Sequence, residues 1–340
     1  MKALFKVIIL IGFVSCSSQT KMKTYEWLPT ANAPKFYPSE IYEGNLFFED
    51  GKYIYIPGGR AMTNGWGKDG PSHIVGSKLK PLPVRLEIKW FSYIEKKFYG
   101  GTFKLPREKI KEVFETGFTN RLGKRETYTK INVGLAPGGG ITLWLTGGGW
   151  SKEIANFKAS QIEVAIEDFK PDSGMNSQNE FDEYINLVLE ELPEDAKIGL
   201  NKEPIVYNLW EIYRKKSNWN FNFIFNNGGE LIDLYSEFIN GERFFADGKN
   251  EIVTSTTEKA LPKILRFEWK DKNGHENGAE IVFDQEEIQN AFNSIQQEND
   301  TEGITLQLEI DRFNSKATLS LTRGSANIIL KRIKVKLYSI

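Results

Sequence analysis

The sequence predicts an α+β protein: two homologous, mainly antiparallel β domains, each with one amphipathic helix packed on its sheet, joined by a helical connector. Two observations carry this. The stretch Leu82-Pro83-Val84-Arg85-Leu86-Glu87-Ile88-Lys89-Trp90 returns as Leu261-Pro262-Lys263-Ile264-Leu265-Arg266-Phe267-Glu268-Trp269. In both copies Leu, Pro, Leu and Trp keep their places, and apolar residues alternate with charged ones. Period two with one polar face is a half-buried antiparallel strand, and proline is tolerated at its start. Each copy also switches once to helical spacing, at Ile110, Val113 and Phe114 and at Ile288, Ala291 and Phe292.

The segments follow in order. Residues 1–15 read as a signal peptide, 16–24 as a lipidated cysteine and tether, 25–170 as the first repeat, 171–216 as the connector and 217–340 as the second repeat. Tyr25-Glu26-Trp27 opens the first repeat, and the alternating Asn218 to Phe223 opens the second. Phe47-Phe48-Glu49-Asp50-Gly51-Lys52 matches Phe244 to Lys249, and Asp-Gly after an aromatic strand signals a hairpin. The Leu-Pro strand is followed by a partner ending at Leu105 or Phe283. Pro106 suits the first turn of one helix, and Asp284 with Glu287 makes a capping-box pattern in the other. Thr142 to Thr146 aligns with Thr318 to Thr322, and Ile162-Val164-Ile166 and Ile333-Val335-Leu337 close the copies as strands. In the connector, Ser177 and Glu180 can cap a helix whose stripe is Phe181, Tyr184, Ile185, Val188, Leu189 and Leu192, until Pro193 stops it. Pro204 to Lys215 reads as a second short helix with Leu209, Trp210 and Tyr213.

The N-terminus gives the expected address. Lys2 and Lys6 precede the apolar run Val7 to Val14, too short to cross a bilayer as a stop-transfer helix. Cys16, the single cysteine of the 340 residues, stands where a bacterial lipoprotein signal places its acceptor. The expectation is a membrane partner through a lipid anchor at Cys16, with the protein in the cell envelope, on the outer membrane and facing the periplasm. Charge is balanced, 44 basic residues against 45 acidic, which argues against nucleic acid as a partner.

Taken together, Tyr25-Glu26-Trp27, Ala33-Pro34, Tyr37-Pro38, Ile41-Tyr42, Gly65-Trp66-Gly67, Leu82-Pro83 and Ala136-Pro137-Gly138-Gly139 give the first copy a likeness. In that order they resemble the bacterial lipoprotein family called domain of unknown function 2931, over roughly Tyr25 to Phe169. The resemblance implies a lipid-anchored envelope protein of Gram-negative bacteria and brings no catalytic residues with it. By analogy with small envelope lipoproteins that act as immunity proteins, a secreted toxin is one class of partner.

Differences between the copies point to a binding site. Phe47 matches Phe244 while Leu82 matches Leu261, so the first copy holds about 18 extra residues, within Pro57 to Pro81. Trp66 and His73 lie in that glycine-rich loop, and such loops often carry function. Trp144 stands where the second copy has Ser320, on the strand face opposite Ile141, Leu143 and Leu145, and Trp150 follows the next turn. Trp66, Trp144 and Trp150, with His73, are therefore expected to form an exposed binding surface for an envelope or toxin protein. The same surface could hold a glycan or peptidoglycan. The competing expectation is that Trp66 folds onto the core and Trp144 packs against the second domain or the connector.

No enzyme is expected. Only His73 and His275 could serve a histidine-dependent nucleophile, and His275 sits in the polar turn Asn273-Gly274-His275-Glu276. Metal-ligand spacings are absent, so no metal or other cofactor is expected, and the glycine runs lack the lysine and helix of a phosphate loop. A hydrolase built on His73 or on two distant carboxylates stays open as the least favoured class.

Overall fold

The computed structural model describes residues 23–74, 76–199, 205–296 and 302–340. Cys16 and the signal segment lie outside the described residues. The chain is α+β, built of mainly antiparallel sheets with few helices.

Each half is a pair of sheets around a core. In the first, Ser39–Phe47, Arg85–Ser92 and Lys97–Lys104 form an antiparallel meander, with Tyr53–Tyr55 on one edge and Ser160–Ile162 on the other. The facing sheet pairs Leu28–Asn32 in parallel with Lys130–Ala136, then runs antiparallel through Gly140–Gly147 to Trp150–Lys158. The second half repeats this order. Its meander is Glu230–Phe238, Pro262–Lys270 and Glu276–Val282, edged by Arg243–Asp247 and Lys334–Ser339. Its facing sheet pairs Ser217–Phe225 in parallel with Ile304–Ile310, then adds Ala317–Arg323 and Ala326–Ile329.

The repeated alternation explains the cores. Leu86, Ile88 and Trp90 are fully buried between the sheets of the first half, as are Leu265, Phe267 and Trp269 in the second. The helices Arg107–Thr116 and Gln285–Gln296 turn Ile110 and Phe114, and Ile288, Ala291 and Phe292, into these cores. Asp284 caps the second helix through the N–H of Glu287 at 2.9 Å. The Glu287 carboxylate does not close a capping box; it accepts the N–H groups of Lys331 and Arg332 at 2.7 and 2.8 Å.

Two sequence expectations shift. The aromatic-Asp-Gly segments are not equivalent positions. Leu46 faces Leu86 and Ile54, whereas Ser236 faces Leu265 and Phe244, so Ile54 rather than Phe47 stands in the place of Phe244. On that register the loop excess in the first half shrinks from about 18 residues to about 11. The closing strand of the first half stops at Ile162, and Ile166–Phe169 is a helical turn.

The connector helix Gln178–Glu190 starts at a Ser177–Glu180 capping box. Phe181 and Ile185 bury against Phe91, Phe98 and Phe169 on the outer face of the first meander. The halves then share a sheet. Ser151 in Trp150–Lys158 pairs with Arg243 in Arg243–Asp247, joining four strands of the first half to five of the second in one nine-stranded sheet.

Candidate functional site

Two of the three predicted tryptophans, Trp66 and Trp144, come together, but inside the molecule, while Trp150 packs apart from them against the cores of both halves. On Gly140–Gly147, Ile141, Leu143 and Leu145 enter the first core, and Thr142, Trp144 and Thr146 on the opposite face are buried as well. Trp144 is 0% exposed. Trp66 meets it edge to face at 4.8 Å between ring centroids, and Trp210 of the short helix Leu209–Tyr213 lies 6.0 Å from Trp66. Trp150 stacks on Phe118 at 5.2 Å and donates Nε1–H to the carbonyl of Phe245 in the second half at 3.2 Å. The expected exposed surface of Trp66, Trp144 and Trp150 is thus corrected to an internal joint between the halves. The physical reason is that the outer face of this strand is covered by the second half, the connector and the long loop.

That loop is fastened across the joint by polar contacts. Gly67 donates its N–H to Asn32 Oδ1 at 3.0 Å, and Asn32 in turn bonds Asn132 at 2.9 Å. Asp69 accepts from Thr146 at 2.6 Å, pairs with Lys130 at 3.0 Å, and reaches Arg243 of the second half at 3.4 Å. Lys68 pairs with Glu237, also of the second half. Gly67 and Gly241 both have positive φ, and a Cβ on either would strike the backbone of the other.

The joint also buries charge. Glu242 lies between Lys216 at 2.6 Å and Lys152 at 3.7 Å, and Glu153 accepts from Arg214 Nε at 2.6 Å. Burial raises the Glu153 carboxyl pKa, with Arg214 opposing it. Burial acts the same way on Glu242, but Lys152, Lys216 and Asn240 outweigh it and hold that carboxyl below the usual range. These two carboxylates come from different halves and each bonds a cation inside the joint, Glu153 through Oε1 with its Oε2 buried, which suits cement better than a pair open to substrate.

The exposed aromatic surface of the first half lies elsewhere. The edge strand Tyr53–Tyr55 buries Ile54 and turns Tyr53 and Tyr55 outward, 56% and 48% exposed. Tyr53 packs 5.2 Å from Phe47, over which the Arg85 guanidinium sits at 4.0 Å. His73, itself exposed, rests 4.8 Å from the Tyr55 ring. It has no carboxylate within hydrogen-bond distance among the described residues, so nothing here orients its imidazole as a general base. The N–H of Ile56 bonds Gly44 at 2.8 Å, and the N–H of Phe48 bonds Lys52 at 2.8 Å. Antiparallel alternation then leaves the backbone groups of Tyr53 and Tyr55 pointing away from the sheet. Arg243–Asp247, the equivalent edge of the second half, is the one that takes Trp150–Lys158 as its neighbour. Sequence reasoning missed this edge, although the Tyr53-Ile54-Tyr55 alternation carried its signal.

Comparison with known proteins adds a family. No curated protein and no solved structure matches the chain. A family model described as "Protein of unknown function (DUF2931)" matches residues 15–207, more than half of the sequence. The match runs past the first sheet pair to include the connector helix that packs on it. This chain therefore belongs to the DUF2931 family.

Proposed function

We propose that this chain is a lipid-anchored bacterial envelope protein that acts by binding another protein, without catalysis, through the open edge of its first half. The observation that carries the reading is the Tyr53–Tyr55 strand: two exposed aromatic rings beside a row of outward backbone donors and acceptors. Such an edge accepts an extended partner segment as an added strand, with main-chain bonds for affinity and side-chain contacts for specificity. Tyrosine and arginine are the residue types that dominate interface energies. The chain itself shows the same edge in use, since the matching strand of the second half is extended by Trp150–Lys158. A toxin or another envelope protein fits the anchor expected at Cys16.

The test is capture from a solubilised envelope fraction with the native protein and with a Tyr53→Ser/Tyr55→Ser variant of verified fold. A partner retained by the native form and lost by the variant supports the reading; equal retention by both contradicts it. Anchoring has its own check. Palmitate labelling is expected at Cys16, and Cys16→Ser should release the protein from the membrane fraction; an unlabelled native protein would refute the anchor.

A further inference from the structure

A pocket of about 290 Å³ opens where the connector enters the second half. It lies between the short helix Leu209–Tyr213, the start of the strand Ser217–Phe225 and the helix Gln285–Gln296. Its floor is apolar: Ile239 and Phe292 are buried, Leu261 is half-buried, and the exposed Ile212 stands at the rim. The hydroxyl of Tyr213 bonds Gln285 Oε1, which ties the short helix to the long one.

The polar groups of the pocket are unevenly used. Gln289, Asn293 and Gln296 recur at i, i+4 and i+7, so the long helix turns one row of amides toward the pocket. Gln296 donates Nε2–H to Ser217 Oγ, which leaves the Ser217 hydroxyl its own proton to donate. The side-chain amides of Gln289 and Asn293 make no hydrogen bond among the described residues. The Lys216 ammonium is taken by Glu242 at 2.6 Å. Lys215 is exposed and has no carboxylate partner among the described residues, and no carboxylate among them lines the pocket.

The first half shows what fills the equivalent place. Tyr25 pairs with Lys80 as Ser217 pairs with Lys259, so Lys23 and Tyr25 stand in the chain positions of Lys215 and Ser217. On the helices Phe114 matches Phe292, which puts Glu115 in the position of Asn293. Glu115 Oε1 accepts from Lys23 Nζ at 2.8 Å and from the Tyr25 hydroxyl at 2.7 Å, and these bonds hold its carboxyl below the usual range. The second half keeps a lysine and a hydroxyl but has an amide where the first has the carboxylate. It holds the donors of a carboxylate site without the carboxylate.

We infer that this pocket binds the carboxylate end of a short peptide. Lys215 and Ser217 offer a free carboxylate the partners that Lys23 and Tyr25 give to Glu115. The apolar floor takes the last side chain. Gln289 and Asn293 each present a donor and an acceptor, the complement of a peptide C=O and N–H. The volume lies at the lower end for ligand pockets, which suits an occupant of about one or two residues. A bare phosphate or a sugar would leave the apolar floor uncovered. This inference is independent of the edge-strand reading, since it uses the other half of the chain.

The test follows the Gln289 side-chain amide resonances in the nitrogen-15-labelled full chain. The probes are N-acetyl-alanyl-leucine, its C-terminal amide and hexanoate, each titrated to about 10 mM. The peptide acid is expected to give a saturable shift, with affinity about tenfold weaker for the amide probe and in Lys215→Gln, through loss of a charge-assisted bond. Asn293→Glu installs the carboxylate that the first half carries and should abolish the shift. Lys215 and Asn293 are exposed, so both variants keep the fold, and Tyr53→Ser/Tyr55→Ser should bind as the native protein does. No shift with the peptide acid, equal affinity for acid and amide, or binding unchanged in Lys215→Gln or Asn293→Glu overturns the inference. Hexanoate bound as tightly as the peptide acid also overturns it, since hexanoate has no amide for Gln289 and Asn293.

Discussion

Lys259 is buried in the second half with its ammonium 5.2 Å from the Trp219 ring, bonded to Thr257 Oγ1 at 2.5 Å. No carboxylate pairs with it among the described residues, and burial lowers its pKa from 10.5 to about 8. The unfolded lysine holds its proton to about 10.4, so between these values the folded state binds fewer protons. Stability from this group therefore rises as pH climbs from 8 toward 10.5, and its penalty is complete below 8. Lys259→Met is predicted to stabilise the protein by about 1–3 kcal/mol at pH 7. Urea midpoints of both forms at pH 7 and pH 10 check this: the advantage should shrink at the higher pH, and a constant difference would refute the assignment. Lys80 repeats the arrangement, bonding the carbonyl of Trp27 at 2.8 Å, with burial again lowering its pKa. Both lysines stand two residues before the repeated Leu-Pro, so the pairing was present in the sequence. Their burial was not legible, because lysine at a strand margin ordinarily reaches solvent.

Among the elements, Gly140–Gly147 separates what patterning reveals from what it hides. Alternation identified the strand and its inner face of Ile141, Leu143 and Leu145. It could not reveal that the opposite face is also a core, because the covering atoms belong to residues far away in sequence, at Trp66, Trp210 and Gly241. A tryptophan opposite a serine in the other copy reads equally as an exposed anchor or as a buried wedge. Burial decides for the wedge. Trp144→Ser should then cost about 3–5 kcal/mol in chemical denaturation, the range for emptying a large aromatic site; a cost under about 1 kcal/mol would mean the ring is not buried. Gly241→Ala should also destabilise, by about 1–3 kcal/mol, since it forces a Cβ into a left-handed turn against Gly67.

For the whole molecule, the repeat was the most legible feature, because period two, the Leu-Pro strand starts and the single helical switch recur in each copy. The joint was not, since it rests on one pair of strand edges and on side chains that the repeat does not share. Trp144 has Ser320 as its counterpart, so comparing the copies shows that a difference exists without showing what it packs against. The nine-stranded sheet and the shared tryptophan cluster predict one cooperative thermal transition for both halves, and two resolved transitions in calorimetry would contradict that. The same joint explains why recognition is assigned to Tyr53 and Tyr55: one strand edge is consumed within the chain and its counterpart is left open. The most direct measurement is site-specific photocrosslinking in intact cells, with a benzophenone amino acid at Tyr55 and, as a control, at exposed Leu122. A discrete protein adduct at Tyr55 and none at Leu122 is the predicted result. Absence of any adduct at Tyr55, or the same adducts at both positions, would contradict the open edge as the binding surface.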